Sequence, residues 1–94
     1  MKEIVGVHVV VHGKVQGVGY RAFTESKANK IGLQGWVRNR HDGTVEVEAE
    51  GPKVELEAFL KVLSEGPLLA QVTQILVDWK AANRQTQGFT IRRD

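Results

Sequence analysis

Three glycines and one arginine, close together in the chain, are the first residues in this sequence that could do chemistry. They lie in HGKVQGVGYR, residues 12–21, after an apolar run rich in β-branched residues and before a helical pattern. The spacing Gly13, Gly17, Gly19 differs from the dinucleotide fingerprint G-x-G-x-x-G, and no Gly-Lys-Ser/Thr ending marks a P-loop. What remains is a strand that enters a glycine turn immediately before a helix. Converging backbone N–H groups and the positive end of the helix dipole predict a site for a tetrahedral anion there.

Arg21 strengthens this prediction. A cation in the first turn of a helix is unfavourable by ~0.3–1 kcal/mol, so an arginine there is expected to have a counter-anion. Its guanidinium can bind two phosphate oxygens at once. Val15 and Val18 can anchor the loop towards the interior while its amides face outwards. An ordinary strand-to-helix turn with a solvent-exposed arginine is the alternative, and these residues alone leave it open.

The elements that must position these groups follow a β-α-β-β-α-β order with one further short strand. Strands are predicted at 4–12, 33–39, 44–50, 72–80 and 88–92, and helices at 21–31 and 53–65. Two right-handed split crossovers give an antiparallel sheet ordered 4-1-3-2, with both helices on one face: a ferredoxin-like α+β sandwich. In this topology the first two strands end at the same sheet edge. Asn39, at the end of the second strand, is therefore expected beside the glycine loop (residues 13–20).

Two stretches of the sequence resemble the motifs of the acylphosphatase family. VHGKVQGVGYR resembles the pattern aliphatic, any, Gly, any, Val-Gln-Gly-Val, any, aromatic, Arg. GWVRNRHDGTVEVEAEG, from Gly35 to Gly51, is similar to the second motif, and Asn39 falls within it. Tyr20 departs from the pattern, since phenylalanine is more usual there. The resemblance covers essentially the whole chain.

The resemblance implies an enzyme that hydrolyses acyl phosphates to a carboxylate and inorganic phosphate. Arg21 and Asn39 would be catalytic, Arg21 by clamping the phosphoryl oxygens and Asn39 by holding the attacking water, whose proton passes to the substrate phosphate. The phosphate-binding amides would belong to Val15, Gln16, Gly17, Val18, Gly19 and Tyr20. The leaving carboxylate has a conjugate-acid pKa of about 4, so it needs little protonation. No metal or other cofactor is expected.

The same residues are also compatible with other interpretations. Asn39 taken alone is more typical of a residue that precedes a turn than of a catalytic residue. Arg40 is expected to be a solvated turn residue, with attraction of an anionic substrate as the alternative, and His41 receives no required role. An RNA-recognition module needs stacking aromatics on its central strands, whereas TVEVEAE directs glutamates outwards, so no nucleic acid partner is expected. The main alternative is a catalytically silent acylphosphatase-like module that binds an anion or a partner protein. Trp36 and Trp79 are expected to be packing residues.

The composition of the chain limits which classes of protein it can belong to. The chain has 94 residues, a net charge of +2, 41% hydrophobic residues and no cysteine, which predicts one soluble domain over residues 1–94 without disulfides. The N-terminal apolar run, about eight residues long, is too short to span a membrane. A cytoplasmic monomer with no membrane partner is the resulting expectation.

Overall fold

The computed structural model describes residues 3–93. Its strands are β1 (Ile4–Lys14), β2 (Gln34–Asn39), β3 (Val45–Pro52), β4 (Gln71–Ala81) and β5 (Phe89–Ile91), and its helices are α1 (Tyr20–Ile31) and α2 (Lys53–Glu65). The predicted order of elements is confirmed, with boundaries that differ by at most two residues at either end. Within residues 3–93, neither helix is long and apolar enough to cross a lipid bilayer.

The sheet has the strand order β4-β1-β3-β2-β5. The pairs β1–β3, β1–β4 and β2–β3 are antiparallel, which confirms the predicted 4-1-3-2 arrangement. The last strand, whose pairing the sequence left open, adds to β2 in parallel, so the complete sheet is mixed. Strands β1 and β2 run in the same direction on either side of β3. Their C-terminal ends therefore lie along the same border of the sheet, the one formed by strand ends rather than by an outermost strand. We call this border the functional edge.

The core lies between the sheet and the two helices. Alternation along β3 buries Val45, Val47 and Ala49, while the intervening glutamates point to the other face and are half-buried. The fully buried residues of the helices are Tyr20, Thr24 and Ala28 of α1 and Leu56, Phe59 and Leu63 of α2. All of these residues except the polar Thr24 form one apolar cluster with the inward valines of β1. The structure thus has the open sheet face that the glutamate pattern predicts.

The open sheet face carries paired charges. Glu46 lies 2.7 Å from His8 Nε2 and 2.7 Å from Arg38 Nε, one partner on each of its carboxylate oxygens. Burial alone would raise the pKa of Glu46, but the hydrogen bonds from His8 and Arg38 outweigh it, so the pKa lies below its usual value. Glu48 of β3 pairs with Lys80 of β4 at 2.5 Å, across the intervening strand β1. Through its contact with Glu46, His8 of β1 forms a cross-strand pair with β3.

Trp79 departs from its predicted packing role. It lies on β4, the strand that forms one edge of the sheet, and it remains 43% exposed. The ammonium of Lys53 sits 5.6 Å from the centroid of its ring. A residue of an edge strand has a neighbouring strand on one side only, so part of the indole stays in contact with solvent.

Candidate functional site

Strand β1 leaves the sheet at Gly13. The register between β1 and β4 shifts between His12 and Gly13, which marks a bulge. Gly13 has φ +123°, and a Cβ placed there would collide with the carbonyl oxygen of Gln71. Only glycine fits this position, and the bulge turns the chain out of the sheet into the loop that follows.

The glycine loop presents free backbone N–H groups. Val15 is buried at 1% exposure and Val18 packs against the core, so the predicted inward anchoring is confirmed. Gly17 and Gly19 have φ values of 75° and 80°, which favour glycine. Within residues 3–93, the amides at 16–19 donate no hydrogen bond to other backbone groups. Unpaired amides at such a bend are suited to binding an anion.

Arg21 lies where the dipole of α1 disfavours a cation. Helix α1 begins at Tyr20, its N-cap Gly19 offers no side-chain hydrogen bond, and its first turn contains no acidic residue. Arg21 is half-buried, and none of the ion pairs among residues 3–93 involves it. The counter-anion that its position calls for is therefore not supplied by this part of the chain. The free amides, the helix dipole and the guanidinium together favour an anion from outside.

Tyr20 ties the start of α1 to the end of α2. Its side chain is buried, and its hydroxyl donates a hydrogen bond of 2.6 Å to the carbonyl oxygen of Leu63. Leu63 belongs to the last turn of α2, where carbonyl groups lack helical partners. Burial raises the pKa of Tyr20 above its usual value, so the phenol stays neutral and keeps donating. The hydroxyl that departs from the family motif thus has a structural role.

Asn39 ends β2 at the functional edge. Val11 of β1 and Asn39 of β2 both pair with Val45 of β3, so two strand spacings, about 10 Å, separate their backbones. Direct cross-strand partners point to the same face, so Asn39 faces the helix layer as Val45 does. Its Oδ1 is buried and has no hydrogen-bond partner in the described part of the chain. Such an orphan acceptor costs about 1–3 kcal/mol unless a water molecule or ligand donates to it.

A side-chain amide joins the glycine loop to the β2–β3 turn (residues 40–44). The Nε2 of Gln16 donates to the carbonyl oxygens of Arg40 and Thr44, each at 2.8 Å. Within the turn, Asp42 Oδ1 accepts hydrogen bonds from Thr44 N and Thr44 Oγ1, which lower the pKa of Asp42. The predicted meeting of the glycine loop and the end of β2 is thereby seen directly. Sequence reasoning considered only the backbone of Gln16 and missed its side chain.

A hollow of about 310 Å³ opens beside Asn39. Its lining consists of Arg38, Asn39, Arg40, His41 and Asp42. Arg40 lies 3.9 Å from Asp42, and His41 is exposed at the rim. Across residues 3–93, no group of three His, Asp or Glu side chains is arranged to hold a metal ion. Because Arg38 and Arg40 are part of its lining, the hollow can contribute shape and positive charge to the candidate anion site.

The fold and this edge define a ferredoxin-like α+β protein with a candidate anion site, and comparison with known proteins identifies its family. Residues 7–91 match the acylphosphatase family model. The chain is 46% identical over 83 residues to the acylphosphatase of Salinibacter ruber, covering 88% of this chain and 87% of that protein. Identity to the acylphosphatase of Thermus thermophilus is 56% over 70 residues, with coverage of 74% and 80%.

A solved structure agrees with the sequence relatives. The crystal structure of acylphosphatase from Bacillus subtilis matches with a TM-score of 0.91 at 39% identity, over 94% of this chain and 98% of that one. The chain belongs to the acylphosphatase family. This confirms both the resemblance found in the two motifs and the predicted enzyme class.

Proposed function

We propose that this protein hydrolyses the carboxyl–phosphate bond of acyl phosphates without a metal ion, releasing a carboxylate and inorganic phosphate. One observation carries the proposal. The amides at 16–19 of the glycine loop, Arg21 and the Oδ1 of Asn39 lie at the same sheet edge, and none of them has a counterpart or hydrogen-bond partner among residues 3–93. Relatives that align over most of the chain are named acylphosphatase, which supports the same substrate class.

The amides at Val15–Tyr20 and the guanidinium of Arg21 hold the phosphoryl group in this proposal. In phosphoryl transfer, charge spreads over the three equatorial oxygens in the transition state, and catalysis is mostly positioning and electrostatics. The bulge at Gly13 and the buried Val15 fix the loop before substrate arrives, so its donors need little reorganisation. Arg21 neutralises charge that a metal ion would otherwise balance.

Asn39 holds the attacking water in line with the leaving carboxylate. A water molecule that donates to Oδ1 satisfies this buried acceptor and is held next to the phosphoryl group. An amide is too weak a base to take the proton, so a phosphate oxygen accepts it. The leaving carboxylate has a conjugate-acid pKa of about 4, so no general acid is needed.

Benzoyl phosphate hydrolysis by the purified protein tests the proposal. We expect turnover that EDTA leaves unchanged and that inorganic phosphate inhibits competitively. All proposed groups belong to one chain, so we also expect a monomer whose activity per chain does not depend on protein concentration. Activity that EDTA removes and a divalent cation restores would contradict the metal-free mechanism. Phosphate binding without hydrolysis would favour the silent anion-binding module instead.

A further inference from the structure

The side chain of Gln16 makes two hydrogen bonds that anion binding by the glycine loop does not require. Its backbone lies in the loop, but its Nε2 donates to two carbonyl oxygens of the β2–β3 turn, those of Arg40 and Thr44. We propose that Gln16 is a positioning residue that fixes Asn39 against the phosphate-binding loop. This inference rests on the proposed function of the site and assigns a role to a side chain that the proposed mechanism leaves out of contact with the phosphoryl group and the attacking water.

The geometry uses the full donor capacity of the amide. A glutamine Nε2 carries two hydrogens, and here each has its own acceptor at 2.8 Å. The two acceptors belong to the closing pair of the turn, since Arg40 N donates to Thr44 O at 2.9 Å. Gly43 N in turn donates to Arg40 O at 3.3 Å. Gln16 therefore holds the turn at the position where the β2–β3 ladder ends.

Asn39 depends on the support of Gln16 because the Oδ1 of its own side chain is not held by a hydrogen bond from residues 3–93. Its Oδ1 has no protein partner among residues 3–93, so the direction of the amide follows from the backbone that carries it. The ladder to β3 supports that backbone on one side, up to the pair Asn39–Val45. The next carbonyl along the chain, that of Arg40, is the one that Gln16 holds. A misplacement of about 1 Å at a reacting group can cost ~10²-fold in rate.

The two halves of the site should respond differently when Gln16 loses its side-chain donors. The loop keeps its bulge and its buried Val15, so phosphate binding should survive. The β2–β3 turn loses two hydrogen bonds, so the attacking water held by Asn39 should no longer be correctly positioned. A merely structural role would lower stability without separating turnover from phosphate affinity.

The variant Gln16→Met keeps the side-chain length and removes both donors. We expect kcat on benzoyl phosphate to fall about 10- to 100-fold, while the inhibition constant of inorganic phosphate stays within about twofold. The double variant Gln16→Met/Asn39→Ala should be no slower than Asn39→Ala beyond about twofold, because residues that act as a unit are not additive. Gln34→Met, an exposed glutamine at the other end of β2, is the matched control and should keep full activity. Unchanged kcat, multiplicative losses in the double variant or equal loss of phosphate affinity would overturn the inference.

A second readout separates this inference from the proposed function. Amide hydrogen exchange at Arg40 and Gly43 should accelerate about tenfold or more in Gln16→Met, and the NMR signals of the Asn39 side-chain amide should shift. If the wild-type protein hydrolyses no acyl phosphate, the proposed function fails, while exchange still decides whether Gln16 fixes the turn. Unchanged exchange together with unchanged Asn39 signals would refute the inference alone. Gln16→Leu, which also lacks donors and adds no charge to the anion-binding loop, gives the same test if the methionine variant does not fold.

Discussion

Replacing Arg21 by alanine should make the protein more stable and inactive at once. Arg21 is the second residue of α1, whose first turn contains no acidic residue to offset it. Removing a cation from that position relieves ~0.3–1 kcal/mol of unfavourable interaction with the helix dipole. At 4–8 °C per kcal/mol for a chain of this size, Tm should rise by about 1 to 8 °C.

The same substitution removes the guanidinium proposed to follow charge in the transition state. Deleting one such electrostatic donor typically costs about 10²–10³ in kcat. Inhibition by phosphate should weaken in parallel, because Arg21 is proposed to contact the same oxygens in substrate and product. Urea denaturation and steady-state hydrolysis of benzoyl phosphate measure the two effects on one preparation.

Lys30 provides a matched control at the other end of the same helix. It lies in the last turn of α1, where a cation is favourable, so Lys30→Ala should lower stability and leave turnover unchanged. Added phosphate at 100 times its dissociation constant should stabilise the wild type by about 2.7 kcal/mol and Arg21→Ala far less. An Arg21→Ala variant with wild-type rates would refute the clamp assignment. One that is inactive but destabilised by several kcal/mol would refute the dipole argument.

Three further substitutions test separate parts of the structure. Asn39→Ala should lose turnover while keeping phosphate affinity, measured as kcat against the inhibition constant; equal losses would contradict the assignment of water to Asn39. Tyr20→Phe leaves the carbonyl of Leu63 without its donor and should cost about 1–3 kcal/mol in urea denaturation; an unchanged midpoint would show that this bond is neutral. The lowered pKa of Glu46 means that its stabilising contribution is present above its unfolded pKa of about 4.3 and lost as pH falls through the folded value. The stability deficit of Glu46→Gln should therefore shrink between pH 7 and pH 3, and a deficit independent of pH would contradict the stabilisation of the Glu46 carboxylate by His8 and Arg38.

The sequence predicted the fold well because each long element carries its own pattern. Alternating valines and glutamates specify the two faces of β3, and Gly-Pro pairs on either side delimit α2. Asn39 was placed correctly by topology, since β1 and β2 end at one edge whatever their side chains. The parallel pairing of β5 was not predictable, because a three-residue strand has no register of its own.

Contacts made by single polar atoms escaped prediction for a different reason. The reach of Gln16 to the β2–β3 turn and of the Tyr20 hydroxyl to Leu63 leaves no periodic signal in the chain. The exposure of Trp79 follows from the position of β4 at the sheet edge rather than from its neighbours in sequence. A single domain over residues 1–94, a cytoplasmic location and the roles of the site residues stay predictions.

The bulge at Gly13 limits how far the candidate anion site can be transferred as a short sequence. The direction in which the glycine loop leaves β1 is set by the shifted register against β4 and by the close approach of the Gln71 carbonyl. Transplanting residues 15–20 into another strand–helix junction would carry over the amides but not the direction in which they point. A successful graft would have to include Gly13 and the neighbouring strand that bends the chain.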